Sequence, residues 1–166
     1  MSEDAIVILK DDHKKVRALF ATFQNASDGA HATRGRLVDQ MIQELTVHTY
    51  IENEVMYPQV RHLVPELEQD VLESFEEHHV ADVLCMELAA MKPTDERFVA
   101  KTMVLIENVT HHMDEEESDW FPRVRAALSR PQLREIGVAM LELKKTAPRH
   151  PAQPSALRKV ADALLG

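Results

Sequence analysis

The sequence holds one cysteine, Cys85, so no disulfide can close within the chain, and a reducing compartment, the cytoplasm, is the expected setting. Glycine is also scarce, at four residues, and aromatic side chains make up 5% of the chain. Strands and tight hairpins draw on both, so their shortage favours helix. No apolar run approaches the roughly 20 residues that cross a bilayer. The opening MSEDAIVILKDDHKK places acids where a secretory leader carries bases, and its apolar run Ile6 to Leu9 is too short for one. No leader and no membrane partner are therefore expected. Basic charge is in deficit: 19 Lys and Arg against 28 Asp and Glu leave a formal charge of -9. A polyanion would meet repulsion over most of such a surface, so nucleic acid is not an expected partner.

What the chain does have is apolar residues at helical spacing. With 166 residues, 45% of them hydrophobic, it can bury one ordinary core. The first helix is predicted to start at an N-cap Ser2, with Glu3 and Asp4 in its first turn, and to stop near Ser27-Asp28-Gly29. The second carries Leu37, Met41, Leu45 and Val55 and meets Pro58, whose missing N–H should kink or end it, with Arg61 to Pro65 as the connection. The third runs from about Glu66 to Lys92-Pro93-Thr94. Thr94 or Asp95 then caps a fourth, which meets Pro122. These four stretches predict an all-α, up-down-up-down four-helix bundle over residues 1–129. Residues 130–166 read as an appendage: a fifth amphipathic stretch, Leu133 to Leu143, the proline-rich APRHPAQP, and a terminal helix Ser155 to Leu165 that docks back.

An internal repeat organises the bundle. Adding 64 to the second helix gives the fourth: Ile42 becomes Ile106, His48 His112, Glu52 Glu116, Tyr57 Phe121, Pro58 Pro122 and Arg61 Arg125. Adding 65 to the first gives the third, with Asp12 matching Glu77, His13 His78, Leu19 Leu84 and Phe23 Leu88. The chain reads as a duplicated helical hairpin. Each copy has one His on its first helix and a His-x-x-x-Glu on its second.

A His and a Glu four apart on a helix lie about 40° from each other and about 6 Å along the axis, so both project into one volume. One such pair is usually an exposed helix contact worth tenths of a kcal/mol. Here His13, His48, Glu52, His78, His112 and Glu116 fall inside the apolar stripes. Burying four imidazoles and two carboxylates without compensation would cost several kcal/mol for each ionised group. Two cations would supply it, and imidazole with carboxylate but no thiolate suits Fe, Mn or Zn. His79 stays open as an alternative to His78, and the pair His111 and Glu115 as an alternative to His112 and Glu116. Cys85 reads as a small buried hydrophobe. Tyr57 precedes the kink, where its hydroxyl could turn toward the metals or a neighbouring carboxylate, but its repeat partner Phe121 cannot, so packing is the expected role. Glu44, Asn108, Ser74 and Asp82, one turn from the candidate ligands, are candidates to orient an imidazole N–H. Asp119 is one further carboxylate on a ligand face, whereas His31, His62 and His150 read as solvated.

The stretches DDHKKVRALF, HTYIENEVMYP, EEHHVADVL and HHMDEEESDWFP are similar to the four helix motifs of the hemerythrin-like HHE cation-binding family, over roughly residues 4 to 128. The resemblance implies two iron ions, oxo- or hydroxo-bridged, with zinc or manganese as substitutes, held by the six residues named above. It implies a protein that engages O2, hydrogen peroxide or NO, expected in oxidative or nitrosative stress response. Alternatives are a peroxide-consuming, catalase-like enzyme and an iron or oxygen sensor that binds a protein partner through residues 130–166. Oxygen-carrying hemerythrins have two histidines four apart on the third helix and an aspartate ligand on the fourth. Here Asp82 stands four residues after His78, so simple oxygen carriage is not implied.

Overall fold

The computed structural model describes residues 2–151. Among them every regular element is helical: α1 (Ala5–Gln24), α2 (His31–Ile51), α3 (Tyr57–Leu63), α4 (Glu68–Ala89), α5 (Phe98–Glu115), α6 (Phe121–Ala127) and α7 (Arg130–Lys144). Helix α1 packs along α2 and α4 along α5, with α2 also against α4, which is the expected all-α bundle of two helical hairpins. The expected terminal helix Ser155 to Leu165 lies outside the described residues.

The prolines do not end their helices. Five-residue π-helical turns, Glu52–Met56 and Glu116–Trp120, precede them and join α2 to α3 and α5 to α6. In each the backbone N–H of the next residue, Tyr57 or Phe121, donates to the carbonyl of the glutamate five residues back. A proline ring collides with the carbonyl four residues earlier and offers it no N–H. Widening the turn by one residue takes up that conflict, and α3 and α6 carry on with proline at their second position. The two turns are 64 residues apart at both ends, so the repeat extends to the irregularity itself.

Two apolar clusters fill the bundle, one toward each end. The first contains Ile6, Leu9, Ile51, Met56, Tyr57, Val71, Trp120 and Phe121, and the second Val16, Phe20, Leu45, Ala81, Cys85, Leu105, Val109 and Met113. Along α1 the chain passes from Leu9 through His13 to Val16, and along α2 from Leu45 through His48 to Ile51. The candidate ligands thus form the layer between two oily ends.

Helix α7 belongs to the first cluster, where Leu133, Ile136 and Met140 are buried. At about 1.5–3 kcal/mol for each fully buried aliphatic side chain, this stripe contributes to holding that end together. Ser129 and Gln132 form a reciprocal capping box at its start. Gly137 lies so close to the N-terminal segment that a β-carbon there would sit 1.8 Å from the Glu3 carbonyl oxygen.

Several boundaries differ from the sequence reading. Asp4, not Ser2, caps α1, accepting from the N–H groups of Ile6 and Val7, while Ser2 Oγ accepts from the Asp4 N–H. Helix α1 ends at Gln24, and the loop turns through Gly29 at φ +80°. Helix α4 starts at Glu68 behind a 3-10 turn Pro65–Leu67, and α5 starts at Phe98 with no side-chain cap, because Asp95 accepts from the Lys92 N–H instead.

Candidate metal centre

The six polar residues expected in the core meet in the middle layer. His13 comes from α1, His48 from α2, His78 from α4 and His112 from α5, and Glu52 and Glu116 are the first residues of the two π-turns. None is more than 7% exposed. Their donor atoms form two groups, each within 4.8 Å: His13, His48, Glu52 and Glu116, and then Glu52, His78 and His112. Both carboxylates straddle the two groups. Glu52 Oε2 lies 3.2 Å from His48 Nε2 and 3.2 Å from His78 Nε2. Glu116 reaches His13 Nε2 at 3.2 Å through Oε2 and His112 Nε2 at 3.5 Å through Oε1.

Every imidazole presents Nε2 to the centre and Nδ1 to an oxygen outside it. His13 Nδ1 donates to Glu117 Oε1 at 2.7 Å, His78 Nδ1 to Asn53 Oδ1 at 2.8 Å, and His112 Nδ1 to Glu77 Oε2. His48 Nδ1 faces Asp12 Oδ2 at 3.5 Å, close enough for charge attraction but without the geometry of a hydrogen bond. With a proton on Nδ1, a neutral ring keeps its Nε2 lone pair, so four lone pairs converge. The residues expected to orient these rings do not. Asn108 is exposed and donates to the Val104 carbonyl, Asp82 is half-buried, Ser74 lies beside Tyr57, and Glu44, half-buried, forms no hydrogen bond or ion pair with the rings. The orienting residues are each a sequence neighbour of a ligand on another helix, and they too obey the repeat: Asp12 matches Glu77 and Asn53 matches Glu117. That match was the available signal.

The chemistry of the donor set fits cations. His13 Nε2, His48 Nε2, Glu52 Oε1 and Glu116 Oε2 are buried without a hydrogen-bond partner. His78 Nε2 stands 3.0 Å from His112 Nε2, two lone pairs facing each other. Orphaned polar atoms at this density are costly unless something else satisfies them. Burial and the neighbouring Glu116 push the Glu52 carboxyl well above the usual range, and burial pulls His48 down and, with His112 beside it, His78 well down. At Glu116 the cost of burial is outweighed by His112 and His13, which hold it low; at His112 burial is outweighed by Glu116 and Glu77, which hold it high. His48, His78 and Glu116 are thereby shifted toward the neutral imidazole and ionised carboxylate that a divalent ion takes, whereas Glu52 and His112 are shifted the other way and would have to release a proton to a bound ion.

Tyr57 corrects the packing assignment. Its Oη donates to Glu116 Oε1 at 2.9 Å and stands 3.4 Å from Glu52 Oε2, 3.2 Å from His78 Nε2 and 3.3 Å from His112 Nε2. Burial and both carboxylates push this phenol well above 10, so it keeps its proton. Its repeat partner Phe121 stacks on His13 with centroids 5.7 Å apart. The other candidates lie outside the cluster. His79 is half-buried on the flank of α4, His111 is exposed and pairs with Glu115, and Asp119 is exposed and pairs with Arg123 at 2.9 Å. His31, His62 and His150 are exposed. Cys85 is buried, and burial pushes its thiol up to about 12.

Two openings reach the centre. A cavity of about 20 Å³ lies against His48, His78 and His112, walled by Leu45, Ala81, Val109 and Met113. A wider cleft of about 410 Å³, lined by Asp70, Glu73, Glu115 and Asp119, ends on His112 and Glu116.

The profile of the hemerythrin HHE cation binding domain matches residues 4–124. A hemerythrin-like protein of Schizosaccharomyces pombe is 28% identical over 149 residues, 89% of this chain and 72% of that one. A DNA nickase of Nostoc sp. is 30% identical over 125 residues, but the match covers 75% of this chain and only 34% of the nickase, about a third of its length. A crystal structure of a hemerythrin HHE cation binding domain-containing protein from Mycobacterium kansasii superposes with a TM-score of 0.73, covering 97% of this chain and 93% of the other. At 22% identity that likeness speaks to the fold.

Proposed function

The chain belongs to the hemerythrin HHE cation-binding family, and from that premise we propose that it is a non-haem di-iron protein engaging O2, hydrogen peroxide or NO in the response to oxidative or nitrosative stress. The ligands are His13, His48, Glu52, His78, His112 and Glu116. Convergence of four Nε2 lone pairs, three of them fixed by a hydrogen bond from Nδ1 and the fourth, on His48, with Asp12 Oδ2 3.5 Å from Nδ1, carries this reading. Glu52 and Glu116 would each be in reach of both ions, since each touches a histidine of either group. The metals, when bound, supply electrons and open coordination positions. The protein supplies the rest. The 20 Å³ cavity walled by Leu45, Ala81, Val109 and Met113 has room for a molecule of two to four atoms beside His48, His78 and His112, because one water needs about 10–15 Å³. Tyr57 Oη holds a proton at the centre and can hydrogen-bond an oxygen there. No helix among the described residues is long and apolar enough to cross a membrane, and the lone Cys85 suits a cytoplasmic setting.

The same hydroxyl favours a second reading, catalytic consumption of peroxide, in which a proton must be delivered as the O–O bond breaks. Metal analysis of protein purified without added metal, followed by the visible spectrum before and after peroxide or NO, tests both. Two irons per chain and a spectral change are expected, with oxygen evolution from peroxide if it turns over. A chain that purifies and stays metal-free when offered Fe(II) defeats the proposal.

A further inference from the structure

The repeat makes the two halves of the centre equivalent in their orienting groups but not in what lies behind them. Asp12 and Glu77 are counterparts, facing His48 and His112. Glu77 lines the open cleft, whereas Asp12 is 3% exposed and needs a countercharge. Helix α7, which lies beyond the matched family segment, provides it: Lys144 Nζ donates to Asp12 Oδ1 at 2.6 Å and Oδ2 at 2.8 Å. Lys15, the other cation nearby, is 3.7 Å away and its side chain is 59% exposed.

We propose that Lys144 is a positioning residue of the metal centre: by clamping both oxygens of Asp12 it keeps that carboxylate facing His48 Nδ1, and so keeps the His48 Nε2 lone pair aimed at the ion shared with His13, Glu52 and Glu116. The inference rests on the metal-binding reading and makes the two ions inequivalent. Helix α7 is then part of the working centre, not a detachable partner-binding tail. Losing the clamp disturbs the ion beside His48 and leaves the ion beside His78 and His112 in place.

The test is an anaerobic Fe(II) titration of the full chain against a chelator, in wild type and in Lys144→Met, Lys144→Arg and Lys15→Met variants, with melting curves to confirm folding. In metal-free protein, nitrogen-15 NMR of the imidazoles reports the His48 tautomer separately. Lys144→Met is expected to weaken one of the two ions about 10–100-fold and spare the other, the range for removing a group that orients a ligand. It should also shift His48 away from the Nδ1–H form. Lys144→Arg should restore both signals and Lys15→Met should change neither. Two ions of wild-type affinity in Lys144→Met, equal weakening of both, or an unchanged His48 tautomer overturns the proposal while the metal reading stands. A wild-type chain that takes up no Fe(II) defeats the metal reading, and this one with it.

Discussion

Gly137→Ala sets helix propensity against packing, and the structure says which wins. In the interior of α7 alanine is favoured over glycine by about 1 kcal/mol. The added β-carbon, however, would sit 1.8 Å from the Glu3 carbonyl oxygen, 2.8 Å from its carbon and 2.9 Å from the Ala5 nitrogen. All three are backbone atoms at the start of α1, so no side chain can swing aside. Either α7 lifts or the first turn of α1 moves by more than an ångström, which loosens Leu133, Ile136 and Met140 in the first cluster. Full exposure of those three would cost roughly 4–9 kcal/mol at about 1.5–3 kcal/mol each. Half of that loss, offset by the gain in propensity, leaves a net destabilisation of about 1–4 kcal/mol. For a domain of this size this lowers Tm by roughly 3–15 °C. Calorimetry and urea unfolding of metal-free protein measure it. A variant as stable as wild type or more stable would refute the close approach, and with it the account of α7 as core.

Two further outcomes follow from the centre and its flank. Tyr57→Phe should fold and bind the same number of ions, since Phe121 already fills the equivalent place, but peroxide turnover should fall about 100-fold or more, the scale of a lost general acid; an unchanged rate of oxygen evolution would remove the hydroxyl from the chemistry. Asp82→Asn should stabilise the protein above pH 6: burial raises this carboxyl from 3.8 to about 6, so the folded state binds the proton more tightly and the wild type loses stability as pH rises through that window. The gap is at most about 3 kcal/mol and, with Asp82 half-buried, closer to about 1–2 kcal/mol; urea curves that differ equally at pH 3.5 and pH 7.5 would contradict it.

Much of the centre was legible because ligands leave two independent traces in a sequence: polar residues inside an apolar stripe, and a spacing repeated 64 or 65 residues on. His48 with Glu52 and His112 with Glu116 had both, and each lies in the buried layer. The orienting groups had the second trace only. Asp12, Asn53, Glu77 and Glu117 sit beside a ligand in the chain, and which ring each serves depends on how the helices are rotated against one another. At Tyr57 the repeat misleads, because its partner Phe121 has no hydroxyl, and regular helix geometry does not correct it. Residues five apart in a regular helix point about 140° from each other, so Tyr57 should diverge from Glu52. The π-turn closes a ring from residue 57 back to residue 52, and the two side chains return to one side. Pro58 announces a disturbance but not that form of it. The fifth helix was visible from its apolar spacing, whereas its seam at Gly137 and the bond from Lys144 depend on contacts between chain ends more than 130 residues apart.

Duplication hands both copies of a hairpin identical equipment, and left alone it would build a site indifferent to its own left and right. One oxygen atom, present at Tyr57 and missing at Phe121, ends that indifference. The Tyr57 hydroxyl reaches His78, His112 and both carboxylates, while the Phe121 ring lies against His13, so one side of the layer carries a proton donor and the other a bare ring.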